Sequence, residues 1–303
     1  MIESAILGHC IGDAMGVPFE MTPRKYLKEV PVEGMERKIN RYSDDTAMTL
    51  ATMQSIIKNK GINYDSMMYE FYLWLAKGKY TQNKKPYGYG NTTFNAIYNY
   101  SIGIDALECG MDGILSNGNG VLMRMLPIVF YLHQINANDE KVKEVVKNTT
   151  ILTHSHEINV LGTYIFVKYC LYLLEGNNKF DSYKKIQGLD YSGYSKEALS
   201  KYKRILKDDI SKYQENKIKS GIAIFETLEA VLWSILTTNN YREALLTAIN
   251  LGGDADTIGA ITGGVAGMLY NDIPIQWVKQ VEGYNYIYRM IRRFKKVLSK
   301  IKD

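Results

Sequence analysis

Three glycines at four-residue spacing, Gly259, Gly263 and Gly267, line one side of the small and apolar stretch Ile258–Tyr270. Glycine inside a helix costs about 1 kcal/mol relative to alanine. Three along one face are explained by another backbone that must come close. The spacing therefore predicts a buried helix with a second main chain packed against it. The segment leading into it, Asn250–Thr257, reads NLGGDADT. Gly252 and Gly253 permit a tight or left-handed turn, Asp254 and Asp256 follow, and Thr257 stands where an N-cap is expected. Two carboxylates at the mouth of a buried helix need positive partners. A helix N-terminus contributes only about half a unit charge, which leaves basic side chains or cations to supply the rest.

A second acidic pair answers the first. Tyr42-Ser43-Asp44-Asp45-Thr46 again opens a small and apolar helical stretch. Either pair alone reads more readily as a solvated helix start. Facing each other, the four carboxylates would carry about −4, the charge of two divalent cations. Oxygen ligands from Asp, Ser and Thr suit Mg²⁺, Mn²⁺ or Ca²⁺ rather than zinc.

Helical periodicity dominates the remainder. Ala47, Leu50, Met53 and Ile57 share a stripe, as do Tyr64, Met68, Phe71 and Leu75. So do Ile158, Leu161, Ile165 and Tyr169; Phe225, Leu228, Leu232 and Ile235; and Ile287, Met290, Phe294, Val297 and Ile301. These spacings mark core-facing helices. Alternation of period two is confined to the short stretch Glu33–Ile39. The expected fold is all-α, a single compact multi-helix domain over residues 1–303 with about a dozen helices. Its most polar part, about 175–219, reads as a surface excursion carrying one exposed helix, Lys196–Gln214.

An apolar fraction of 46% and a charged fraction of 23% are those of an ordinary globular chain. The net charge of +5 owes much to Arg289–Lys302, which reads first as the solvated face of a last helix, with contact to an anionic surface as the rival reading. Cys10, Cys109 and Cys170 are widely spaced and odd in number, which fits a reducing compartment better than a disulfide framework. The run Ile258–Tyr270 falls short of the roughly 20 residues of a membrane span, and no basic n-region opens the chain. A cytoplasmic monomer without a membrane partner is expected.

The motifs, taken in order, resemble those of the ADP-ribosylglycohydrolase family. They are GHCIGDAMGVPFE (Gly8–Glu20), SDDT (Ser43–Thr46), SNGNGVLMR (Ser116–Arg124), Thr153-His154 and GGDADTIGAITGGVAG (Gly252–Gly267). The resemblance runs from Ile6 to about Trp277. It implies a binuclear metal site and hydrolysis of an N- or O-glycosidic bond at the distal ribose of ADP-ribose. It also makes Ser43, Asp44, Asp45, Asp254, Asp256 and Thr257 the metal ligands, with Mg²⁺ as the expected ion and Mn²⁺ as its substitute.

Glu20 matches the family's glutamate on a mobile loop that assists the reaction; Asp44 and Asp256 join it as catalytic candidates. A carboxylate beside two cations is expected to have a depressed pKa. From the residues alone, Glu20 reads equally as a carboxylate that closes the break at Gly16-Val17-Pro18. Asp13 reads as structural. Ser116, Asn117, Gly118 and Asn119 form a turn whose N–H groups would hold a phosphate at the start of helical Val121–Met125; in the family this loop holds the diphosphate and distal ribose. Arg124 reads as the partner of a core acid.

His154 matches the family's histidine near the distal ribose, with capping or packing as the other reading. The loop Tyr87–Thr93 departs from the nitrogenase-reactivating branch, which has an aspartate there that serves distal-ribose chemistry. Here Tyr89 stands nearest, either stacked on a base or packed, and no carboxylate lies between Glu70 and Asp105. The expected activity is removal of ADP-ribose from a modified protein side chain or small conjugate, with nucleic acid not the expected partner. The rival is an ADP-ribose-binding or immunity protein of the same fold with weak catalysis.

Overall fold

The glycine spacing finds its partner in the first helix. The computed structural model describes residues 1–35 and 40–301. Its helices include α1 (Ile2–Gly16), α2 (Asp44–Asn59), α3 (Tyr64–Lys77), α4 (Asp139–Ile151), α5 (Glu157–Leu174), α6 (Ile224–Thr237), α7 (Tyr241–Asn250), α8 (Ala255–Tyr270) and α9 (Tyr284–Leu298). A Cβ on Gly12 would lie 2.0 Å from the Gly259 carbonyl oxygen, and one on Gly8 would lie 2.3 Å from that of Gly263. A Cβ on Gly267 would lie 2.2 Å from the carbonyl oxygen of Ser4. α1 and α8 therefore run antiparallel with their main chains in contact. Both are buried on nearly every side, α1 from Ser4 to Gly16 and α8 from Ala255 to Met268. Helices that are apolar all round belong in a core.

The other helices complete the shell around this pair. α6 and α7 pack on α8, α9 on α1 and α2, and α3 on the far side of α2. Each predicted stripe falls on one of these helices, with Ile301 just past the end of α9. Leu50, Met53, Met68, Phe71, Leu161, Ile165, Leu228, Leu232, Ile287 and Phe294 are all fully buried. Among the described residues there is no sheet, only four isolated bridges. Glu33–Met35 has no regular structure, and the rest of the Glu33–Ile39 alternation lies outside the described residues. Among the described residues, α5 is the one helix long and apolar enough to cross a membrane, with a mean hydropathy of 1.2; 78% of it is buried inside the protein, so it reads as a core helix.

The polar excursion is corrected in two respects. The expected helix Lys196–Gln214 is broken into Lys196–Lys201, Lys203–Lys207 and a 3-10 turn at Ile210–Lys212. Nor is it simply exposed. Ala198, Tyr202, Ile205, Leu206 and Ile210 are buried, and the Tyr202 hydroxyl donates to the carbonyl of Ile158 at 2.7 Å. A lysine-rich composition hid an apolar stripe that docks on α5 and leaves the charged heads in water.

Candidate active site

Close packing of α1 against α8 has a chemical consequence. Asp13 follows Gly12, and a Cβ on Gly16 would lie 2.4 Å from the Cα of Asp256, so acids from two ends of the chain share one end of the helix pair. α2 enters there with Ser43 as its N-cap and Asp44 and Asp45 in its first turn. Oxygens of Asp13, Asp45 and Asp256 lie within 4.8 Å of one another, and so do those of Glu20, Asp254 and Asp256. Sequence reasoning left Asp13 as structural, and it is that as well. Its Oδ1 accepts from the Ser43 N–H at 2.9 Å and hydroxyl at 2.8 Å, and its Oδ2 accepts from the Thr46 N–H at 2.9 Å. It anchors the start of α2 from another helix while belonging to the acid cluster.

The cluster is under electrostatic stress. Asp44, Asp45 and Asp256 have pKa values pushed well above the usual carboxylate value, first by burial and then by neighbouring carboxylates, chiefly Asp13 for Asp44 and Asp45 and Asp254 for Asp256. Burial pushes Asp13 up to about 6 against its hydrogen bonds. Among the described residues no lysine or arginine forms an ion pair with any of these acids. Asp45 Oδ1 is buried without a hydrogen-bond partner. An all-oxygen cluster with an unmet acceptor and no basic counter-charge fits hard divalent cations.

Thr257 is not the N-cap of α8; the helix begins at Ala255, with Asp254 in the cap position. Thr257 sits in the first turn, where its hydroxyl donates to Asp45 Oδ2 at 3.5 Å and its N–H to Asp256 Oδ1 at 2.9 Å. Gly252 and Gly253 both take positive φ, +67° and +69°, which turns the chain sharply enough to aim Asp254 inward.

Glu20 follows the 3-10 turn Val17–Phe19 that continues α1. Its segment is tethered. Met21 N–H donates to the Gly253 carbonyl at 2.7 Å, and Gly253 N–H to that of Thr22 at 2.9 Å. Arg24 adds a clamp that sequence reasoning missed: Nε bonds the Leu251 carbonyl at 2.8 Å, Nη1 that of Glu215 at 2.6 Å and Nη2 that of Ile218 at 2.6 Å. Glu20 is exposed at the cavity rim. Burial of part of its surface and the charge of Asp254 raise its pKa, opposite to the depression expected beside metal, so that depression would require cation charge.

A cavity of about 600 Å³ opens over the acids, within the range of small-molecule sites. Its lining includes Glu20, Asp44, Asp254, Asp256 and Thr257 on one side and Asn117, Gly118, Asn119 and His154 on another. Ser43 and Asp45 lie buried beneath. Ser116 and Tyr89 are not among the lining residues. Tyr89 packs instead, 6.2 Å and near-parallel to Phe94 and edge-on to Trp74 at 5.6 Å. Its loop still reaches the cavity through Gly88, whose φ is +88° and whose added Cβ would lie 2.5 Å from Asp44 Oδ1.

The Ser116–Gly120 loop leads into a 3-10 turn, Leu122–Arg124, rather than the expected helical Val121–Met125. Ser116 N–H donates to Gly113 and Asn119 N–H to Ile222, leaving the N–H groups of Gly118 and Gly120 as candidate donors. Asn119 serves the acids: its amide donates to Asp254 Oδ2 and, at 2.8 Å, to the Thr227 hydroxyl. Arg124 has no core acid as partner among the described residues; it bonds Thr149 and Thr153. Glu197, Lys201 and Phe225 also line the cavity, and Lys201 Nζ stands 5.5 Å from the Phe225 ring centroid. No motif marked these three, because they come from the polar segment and from the start of α6.

Comparison with known proteins agrees with this geometry. The model of the ADP-ribosylglycohydrolase family matches residues 2–302. The chain belongs to the ADP-ribosylglycohydrolase family. It is, by that membership, a hydrolase of a family known for a metal-dependent active site. It is similar to ADP-ribosylarginine hydrolase Tri1 of Serratia proteamaculans, 26% identical over 92% of this chain and 74% of that protein. It is also similar to the ADP-ribosyl-[dinitrogen reductase] glycohydrolase of Rhodospirillum rubrum, 26% identical over 95% of this chain and 92% of the other. A solved structure described as an ADP-ribosylglycohydrolase-related protein complex shares the fold, with a TM-score of 0.79, 22% identity and coverage of 98% and 97% of the two chains.

Proposed function

We propose that this protein releases ADP-ribose from a modified protein side chain, using two divalent cations, Mg²⁺ by preference and Mn²⁺ as substitute. The observation that carries the reading is the convergence of Asp13, Asp44, Asp45, Asp254 and Asp256 at one end of the α1–α8 pair, without basic partners among the described residues, under a cavity of nucleotide size. Asp44, Asp45, Asp254 and Asp256, with Ser43 and Thr257, would hold the cations. When bound, the cations supply the counter-charge the acids lack and Lewis acidity toward ribose hydroxyls.

The chain's own groups divide the remaining work. Glu20, at the cavity rim, takes the proton of the attacking water. The ionised aspartates stabilise positive charge that develops at the anomeric carbon. Gly118 and Gly120 N–H groups and the ring of His154 supply donors for diphosphate and ribose oxygens. Phe225 offers a flat apolar face to the base, beside the positive charge of Lys201.

The test is turnover of ADP-ribosylated peptides, on arginine and on serine, with Mg²⁺ and with chelator. Glu20→Gln should lower the rate by about 10²–10⁴-fold, the usual contribution of a general base, while ADP-ribose binding is retained. A metal-independent rate, or a Glu20→Gln rate within tenfold of the native one, would overturn the assignment.

A further inference from the structure

Behind His154 lies a residue that never reaches the cavity. We infer that Arg124 sets the tautomer of His154 through the hydroxyl of Thr153, so that the ring presents a protonated Nε2 to the ligand. The inference rests on the reading of His154 as a ligand-facing group. Arg124 is fully buried, its guanidinium 4.8 Å from the centroid of the Phe71 ring. Its Nη2 donates to the Thr149 carbonyl at 3.1 Å and to Thr153 Oγ1 at 2.8 Å. The same Oγ1 lies 2.8 Å from His154 Nδ1, with Thr153 fully buried.

A guanidinium has only protons to give. Thr153 Oγ1 is therefore an acceptor toward Arg124 and keeps one proton of its own. Among the described residues, His154 Nδ1 is the only acceptor within reach of that proton. Were Nδ1 protonated, donors would meet at one oxygen from both sides and the buried hydroxyl proton would have no partner, a loss worth roughly tenfold or more in an equilibrium. The balanced arrangement has Arg124 giving to Thr153, Thr153 giving to Nδ1, and the ring proton on Nε2.

That nitrogen faces the ligand loop. A Cβ on Gly118 would lie 3.6 Å from Nε2 and one on Gly120 3.3 Å from Cε1, so the two glycines leave this edge of the ring open. Burial, and then the Arg124 charge, holds His154 down to about 3, so the ring stays neutral at physiological pH. Arg124 itself, lowered to about 9 by burial, stays charged. The site thus keeps one neutral donor beside its carboxylates, fit for a phosphate or ribose oxygen. The opposite tautomer would turn a lone pair toward that oxygen. Arg124 and Thr153 are positioning residues.

The test reads the tautomer directly. Imidazole ¹⁵N spectra of the full chain contain four histidines, and a His154→Gln variant assigns the signal. The native protein should show Nε2–H alone, without titration from about pH 5 to 8, below the Arg124 value of about 9. Thr153→Val keeps the shape but cuts the relay; it should give mixed or Nδ1–H tautomer and weaken ADP-ribose binding about tenfold, with Mg²⁺ affinity and cooperative melting unchanged. Thr153→Ser should restore both. Since Arg124 variants risk misfolding, the Thr153 pair carries the test. A native Nδ1–H ring, or a tautomer indifferent to Thr153→Val, overturns the inference. A tautomer that follows Thr153 while ADP-ribose affinity stays constant overturns the ligand-facing role of His154 and leaves the hydrolase reading to the Glu20 experiment.

Discussion

Asp13 and Asp45 compete for a single proton. The hydroxyl of Ser43 lies 2.8 Å from Asp13 Oδ1 and 3.0 Å from Asp45 Oδ2 and can satisfy only one of them at a time. Two elements meet at this hydroxyl, α1 through Asp13 and α2 through its own N-cap. The fold holds the carboxylates together, and repulsion between them is the strain a cation would relieve.

Neutralising one acid should therefore have opposite effects with and without metal. In chelator, Asp45→Asn should melt higher than the native protein; in Mg²⁺ it should lose the metal-induced rise in Tm. The sign follows from linkage. The folded pKa values of Asp13, Asp44, Asp45 and Asp256 are raised, so the native state binds more protons and its stability falls as pH rises through them. Calorimetry of the metal-free protein should show Tm falling as pH rises from about 4 through the Asp13 value of about 6 and onward through the more strongly raised acids, with a shallower fall in Asp45→Asn. Parallel slopes would remove Asp45 from the cluster.

Gly12→Ala should be far more damaging than an alanine elsewhere. The methyl would stand 2.0 Å from the Gly259 carbonyl oxygen, and only a shift of α1 against α8 relieves it. A loss of about 3 kcal/mol or more is expected, the upper end for overpacking. Since Asp13 is the next residue, Mg²⁺ affinity should fall with it. Gly193, with nothing within 4 Å of its Cβ position, is the control and should change by less than about 0.5 kcal/mol. Urea melts of the two variants decide the matter.

Gly88→Ala should separate fold from function. The site is at the cavity mouth, φ is +88°, and the new methyl would press on Asp44 Oδ1 at 2.5 Å. Displacement of a reacting group by about 1 Å costs on the order of 10²-fold. We expect a rate lowered by about that factor, with the helical circular-dichroism spectrum intact. Native turnover in Gly88→Ala would mean that this loop does not shape the acid cluster.

Asp139 gives a pH-dependent contribution to stability away from the site. Partial burial would raise its carboxyl, yet bonds from Lys143, Tyr164 and Lys168 pull it down to about 2. Lys143 and Lys168 lie 2.9 and 3.0 Å away and the Tyr164 hydroxyl 2.8 Å. A depressed folded pKa stabilises above the unfolded value and is lost as pH falls through the folded one. Asp139→Asn should thus cost about 0.5–1 kcal/mol near neutrality, the discounted worth of a partly exposed network. The difference should shrink between about pH 4 and 2. A gap that persists at pH 2 would assign the cost to packing of α4 instead.

The helical class follows from the sequence alone, because periods of three and four residues depend only on which side chains are apolar. Glycines at 259, 263 and 267 announced a main-chain contact for the same reason: only a missing side chain permits one. The two acidic pairs and the loop Ser116–Gly120 were legible as ordered motifs, and their order carried the family. Tertiary structure decided what required knowing neighbours. Asp13 looked structural until α2 arrived beside it, and Tyr89 lost its place in the cavity because Trp74 and Phe94 stand next to it. Arg24 and Lys201 carry no local signature, Thr153 stood in a motif without a role of its own, and Phe225 read only as part of a core stripe; their work lies in bonds across the fold or in a shared lining. A pattern along the chain reports how each residue meets water; which distant group it meets is set only when the helices pack.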